Sequence, residues 1–166
     1  FFPPRRVAMA LLAALAVLPA VLKATLEVRP QAAEAAQRYA VSRRYWALVG
    51  NGPNIISARE VRIKLSELCY KSIACDATED KKHIDLSSEP LILVCAAGLV
   101  GSTADDVGKE IAIFRAHKAA PIVIATEGAS AFTAAAHVIP VPAPHPRLAF
   151  ILSARAGHLS GYDAAL

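Results

Sequence analysis

The chain has 166 residues, of which 55% are hydrophobic and 19% charged, with a formal net charge of +4. That length holds one domain and at most an arm, and the apolar share excludes a disordered chain. Lys and Arg are scattered, with no basic run interleaved with aromatics, so nucleic-acid binding is not inferred; a mildly basic protein that binds anionic metabolites fits as well.

The first feature is the apolar run from Val7 to Leu22 behind Arg5-Arg6. Basic residues followed by an apolar core fit a signal peptide, but no convincing A-x-A cleavage site follows. The run is short for a membrane span, which needs about 20 residues, and Pro19 interrupts it. A buried helix reaching past Lys23 and Leu26 is the preferred reading, so helices are expected near 7–28 and, after Pro30, near 31–42. Residues 1–42 would form a helical arm and 43–166 the domain proper.

Tyr45 to Val49 is a short apolar strand that stops at Gly50-Asn51-Gly52-Pro53-Asn54. An amphipathic helix near 56–71 follows at once. Its amino end aims N–H groups and a positive dipole at the glycine turn, an arrangement that favours a phosphate; an ordinary turn with no ligand is the competing reading. Further strands are expected at 73–76, 91–96, 121–126 and 137–141, with helices at 104–117, weakly at 130–136, and from Arg147 onward. The strands are apolar throughout, which implies helices on both faces. The expected fold is α/β: a three-layer, doubly wound, five-stranded parallel sheet of flavodoxin-like order 2-1-3-4-5 with an N-terminal helical arm. In such a sheet ligands sit beyond the carboxyl ends of the strands, here at 50–54, 97–103 and 126–128.

Candidate chemistry is sparse. Glu60, in the first turn of the helix behind the glycine loop, could abstract a proton next to a carbonyl. Ser57-Ala-Arg-Glu60 also reads as a capping box, and Glu60 is spaced to pair with Lys64. Lys82-His83 lies in a polar segment, where His83 could shuttle protons or could be a solvated side chain. Ser102 and Thr103 read as a helix N-cap whose hydroxyls could also hold phosphate, although Asp105 and Asp106 make an anion there less welcome. The odd set Cys69, Cys75 and Cys95 suits a reducing cytosol, so a cytoplasmic location is expected. His83, His117, His137, His145 and His158 show no metal-ligand spacing, so neither a metal nor a cofactor is expected.

Taken in order, these residues resemble the sugar isomerase (SIS) family. More narrowly, they resemble the second SIS domain of the glutamine–fructose-6-phosphate transaminases (glucosamine-6-phosphate synthases). That family has a Gly-x-Gly turn and then Ala-Leu-Glu-Gly-Ala-Leu-Lys-Leu-Lys-Glu-Ile-Ser-Tyr. Here the run from Ala58 to Tyr70 keeps Glu60, Lys64, Glu67 and Tyr70 in register. The family's Glu-Leu-Lys-His-Gly falls on Asp80 to Ile84, and Leu15 to Val41 resembles the helix joining two SIS domains. The resemblance implies that Glu60 is the isomerase base and that His83 assists ring opening. Gly50, Asn51, Gly52, Asn54, Ser57, Lys82, Ser102 and Thr103 are the candidate residues around a phosphorylated sugar, although the resemblance implies that the family's serine- and threonine-rich phosphate cradle belongs to the first SIS domain and is absent here. The resemblance further implies an upstream SIS domain, possibly a glutaminase domain, a C-terminal tail carrying a lysine, and a homo-oligomer, with no membrane or nucleic-acid partner. This chain is then expected to be one part of a longer protein. Ile84 in place of the family's glycine, and Arg59 and Arg62 in place of small or apolar residues, keep a non-catalytic phosphosugar-sensing module as the alternative. A flavodoxin-like flavin or nucleotide binder is a third reading, weakened by the few aromatics in the candidate loops.

Overall fold

In the computed structural model, residues 3–81, 86–142 and 144–166 are described. The elements run α1 (Arg5–Ala24), α2 (Arg29–Ala35), β1 (Trp46–Gly50), α3 (Asn54–Cys69), β2 (Ala74–Asp76), α4 (Thr78–Lys81), β3 (Leu91–Cys95), α5 (Gly101–Ala116), β4 (Ala120–Thr126), β5 (His137–Val141) and α6 (Ala149–Ala165). All strand pairs are parallel and the order is β2-β1-β3-β4-β5, the doubly wound arrangement expected from the apolar strands. β1 and β3 are buried at every residue, as a sheet covered on both faces requires.

Alternation along each strand divides the core in two. Leu48, Leu93, Cys95, Ile122, Ile124 and Ile139 face α2, α3 and α6, meeting Val61, Leu65, Leu152 and Ala156. Val49, Ile92, Val94 and Val123 point the other way, onto Val107, Ile111 and Phe114 of α5. Helices α3 and α6 approach closely: a Cβ on Gly157 would stand 2.4 Å from Val61 Cγ2.

The amino ends of the strands are tied by Arg43. Its guanidinium donates to the Glu89 carbonyl at 2.8 Å and the Lys118 carbonyl at 3.1 Å. Glu89 and Lys118 both have left-handed backbone, with φ of 50° and 61°. One side chain thus closes the turns that feed β3 and β4.

Three expectations need correction. The two arm helices do not break at Pro30. That proline opens α2, where its missing N–H is harmless, and short 3₁₀ and π turns make the arm almost continuous from Arg5 to Ala40. The arm is long and apolar enough to cross a membrane by length and composition. It is also not a buried helix throughout. Only Ala14 of α1 is buried, Leu18, Val21 and Leu22 pack on the core, and Met9, Leu12, Leu15 and Val17 are exposed. Finally, no helix forms at 130–136. This segment makes turns that bury Phe132 against α5 and return Ala136 N–H to the Pro121 carbonyl, and it is too short to hold a helix without packing help.

Candidate functional site

The carboxyl ends of the strands form a rim stitched by side chains. Asn51 donates from Nδ2 to Thr78 Oγ1 (2.6 Å) and accepts from Thr78 N–H (3.2 Å), joining the loop after β1 to the start of α4. Asn54 donates to the Ala97 carbonyl (2.9 Å) and accepts from Ser153 Oγ (3.0 Å), joining α3 to the loop after β3 and to α6. Gly98 N–H donates to Thr126 Oγ1 (2.8 Å), joining that loop to the end of β4. Gly50 is obligatory here, because a Cβ would stand 2.4 Å from the Asn54 carbonyl oxygen.

The glycine loop spends its polar groups on the protein. Both amide atoms of Asn51 and of Asn54 are bonded as above, and Asn54 is buried. Gly52 is open, with φ +54°. Ser57 is buried and donates to the Phe150 carbonyl. The capping-box reading fails for a simple reason: α3 begins at Asn54, so Ser57 lies within the helix and cannot cap it.

Glu60 consequently sits in the second turn of α3, about 9 Å along the axis from Asn54 at 1.5 Å per residue. Its side chain is 45% exposed, and Oε1 lies 3.3 Å from His158 Nε2 on α6. That is within ion-pair reach for a protonated imidazole, although the imidazole makes no hydrogen bond there. The expected Glu60–Lys64 pair is replaced by Lys64–Glu67 at 3.5 Å. Lys82 and His83 lie outside the described residues.

The loop after β3 is different. Gly98 has φ +78°, and a Cβ on it would meet the Pro146 carbonyl oxygen at 2.5 Å. Val100 is extended, and no side chain caps the sixteen-residue α5. Ser102 and Thr103 are therefore not the N-cap; they lie inside the first turn with their side chains exposed. Gly98, Val100, Thr126, Glu127, Gly128 and Pro146 line an open cleft of about 240 Å³ beside them. Asp105 and Asp106 are exposed one turn on, and Lys109 partly offsets them by pairing with Asp106 at 3.1 Å. A separate cavity of about 30 Å³ between arm and sheet is walled almost wholly by apolar side chains; it is a packing gap, far too small for a sugar.

Thr126, Ser153 and His158 were not singled out from the sequence. Thr126 could have been, as the first polar residue closing an apolar strand at the ligand end of the sheet. The partnerships of Ser153 with Asn54 and of His158 with Glu60 are tertiary and leave no local signal. Among the described residues, no three His, Cys, Asp or Glu side chains gather to hold a metal.

No family model and no curated protein matches the chain. Solved structures do. The C-terminal domain of glucosamine-fructose-6-phosphate aminotransferase from Francisella tularensis superposes with TM-score 0.75 at 16% identity, covering 88% of this chain and 42% of that one. The Vibrio vulnificus NanR protein complexed with ManNAc-6P gives 0.69 at 13%, covering 92% and 59%. Tagatose-6-phosphate ketose/aldose isomerase from Escherichia coli gives 0.59 at 22%, covering 74% and 35%. The chain thus spans less than two thirds of each of these proteins. At such identities the likeness establishes the fold, which is that of the sugar isomerase domains.

Proposed function

From the sugar isomerase fold, we propose that this chain is a phosphosugar-binding domain and that the phosphate sits at the amino end of α5. The observation carrying this reading is the start of α5, which lacks a capping side chain, as α3 does, and among the described residues also lacks the turn bonds by which the Asn51, Gly52 and Pro53 carbonyls take up the first N–H groups of α3. A sixteen-residue helix presents its positive end, free of any capping side chain, beside the exposed Ser102 and Thr103 and an open cleft. The polar groups of the glycine loop at Gly50–Asn54 are largely engaged, so that loop shapes the floor of the crevice, with Asn51, Gly52 and Asn54 holding its wall. Lys82 and His83 belong to the same proposal as residues that approach the sugar. The protein is cytoplasmic in this reading and acts as a homo-oligomer within a longer chain that supplies an upstream SIS domain and possibly a glutaminase domain.

The finer reading is ketose–aldose isomerisation of a hexose phosphate, as part of a glucosamine-6-phosphate-synthase-like protein with Glu60 as base. Its support is the half-exposed Glu60 carboxylate, whose Oε1 lies 3.3 Å from the His158 imidazole. The second reading is a sensing module without chemistry. It is favoured by the position of Glu60 in the second turn of α3, set back from the loop at Gly50–Asn54.

Calorimetric titration with hexose 6-phosphates and with the matching free hexoses tests the binding claim. Binding should require the phosphate, and Ser102→Ala with Thr103→Ala should weaken it about tenfold or more, the worth of one to two hydrogen bonds to a charged group. Equal binding of the free hexoses, or an unaffected double variant, would remove the phosphate from this helix end.

A further inference from the structure

The pole opposite the crevice, where the strands begin, collects features that the sequence scatters. Arg43 and Lys118 meet there around Glu89, with Arg43 Nη1 at 3.4 Å and Lys118 Nζ at 3.8 Å from its carboxylate. Lys71 Nζ donates to the Arg44 carbonyl at 3.3 Å and lies 4.8 Å over the Trp46 ring. The Arg44 guanidinium lies 5.4 Å over the Tyr45 ring. Two cations thus engage one carboxylate, and Arg44 and Lys71 lie at the same pole against aromatic rings, with no carboxylate partner shown among the described residues. Apolar surface is exposed alongside: Tyr70 is 95% exposed and Val41 89%. Two clefts flank Trp46. One, of about 350 Å³, is walled by Val41, Leu68, Cys69, Tyr70, Lys71 and Ala164. The other, of about 330 Å³, is walled by Tyr45, Ser72, Ile73, Ser88 and Pro90.

We propose that this amino-terminal pole is a docking surface for an acidic protein segment, whose apolar side chains enter the two clefts while its carboxylates meet Arg44 and Lys71. Charge complementarity selects an acidic partner, and the clefts, whose walls are about equally polar and apolar, have the volume for Leu- or Phe-sized side chains set among polar ones. A nucleic acid fits less well. It would need successive open ring faces for stacking, whereas the Tyr45 ring already carries Arg44 and the Trp46 ring is buried under Lys71, which leaves Tyr70 as the one open ring of the three. This surface is independent of the sugar site at the other end of the sheet.

The test uses fluorescence anisotropy with three labelled probes: a peptide of repeated Glu-Leu-Glu-Ser-Phe, the same repeat with Lys for Glu, and oligothymidylate. The acidic peptide should bind, and added salt should weaken it, as expected for exposed charge pairs. Arg44→Glu with Lys71→Glu should weaken it by about tenfold or more, as loss of rim charge with reversal implies. Tyr70→Asn touches no cation and keeps a residue that tolerates the left-handed φ of 53°, so it should weaken binding while the circular dichroism spectrum is unchanged. Failure of the acidic peptide to bind, equal binding of the basic repeat, tighter binding of oligothymidylate, or indifference to all of these substitutions would each overturn the proposal.

Discussion

At the scale of single residues, Glu60 divides the two functional readings. Glu60→Gln keeps side-chain size and leaves α3 intact but removes a proton acceptor, a role typically worth about a hundred- to ten-thousand-fold in rate. In the full-length protein this change should preserve sugar binding and abolish exchange of solvent protons into the second carbon of the sugar. Undiminished exchange would retire Glu60 as base and leave the sensing module ahead. Cys95 gives a second expectation. Complete burial pushes its thiol up to about 12 from 9.0. The raised folded-state pKa favours the neutral thiol, so its contribution to stability is whole below the unfolded thiol's pKa of about 8.5 and is lost as pH rises towards 12. Urea midpoints should therefore fall on going from neutral to strongly alkaline pH, and iodoacetamide at mildly alkaline pH should leave Cys95 unlabelled until the chain unfolds. Cys69 and Cys75 are raised in the same direction by partial burial and should label more slowly than a free thiol. Residue roles were the least legible part of the sequence. Ser57 and Glu60 have capping-box spacing, yet the helix starts three residues earlier because Asn54 is pulled onto Ala97 and Ser153, contacts no local pattern encodes.

At the scale of elements, the sequence is far more informative. All five strands fall where short apolar runs end in Gly, Pro or polar residues, and the bounds differ from expectation by a residue or so. The segment at 130–136 misleads because an Ala-rich stretch has helical propensity, but burial of Phe132 and the close approach of the Ala131 carbonyl to Gly108 decide its path. The interface of α3 with α6 yields a stability test. Gly157→Ala would place a methyl 2.4 Å from Val61 Cγ2, and Val61 is fully buried with a β-branched, stiff side chain. Overpacking of this kind costs about 1–3 kcal/mol, and the better helix propensity of Ala offsets up to about 1 kcal/mol of it. A net loss of about 1–2 kcal/mol in denaturant unfolding is expected. Adding Val61→Ala should relieve the clash, so that the double variant is more stable than the sum of the two single changes predicts.

At the scale of the whole molecule, parallel strands with helices on both faces place every strand's carboxyl end on one rim, and this is why the crevice was legible from strand order alone. What strand order does not encode is which loop on that rim keeps polar groups free. The glycine loop after β1 is the more conspicuous in the sequence, yet its asparagines brace the rim and its carbonyls take up the first N–H groups of α3, while the plainer Gly98–Thr103 loop makes no such bonds to the start of α5 among the described residues. Backbone amide shifts report phosphate binding at the amino end of α5 without a labelled ligand or a variant. On titration of the isotope-labelled protein with a hexose 6-phosphate, the largest shifts should centre on Gly98, Gly101, Ser102 and Thr103, and inorganic phosphate alone should reproduce them in part. Shifts centred instead on Gly50, Asn51 and Gly52 would move the phosphate to the other loop, and no shifts along the carboxyl rim at all would remove it from this domain.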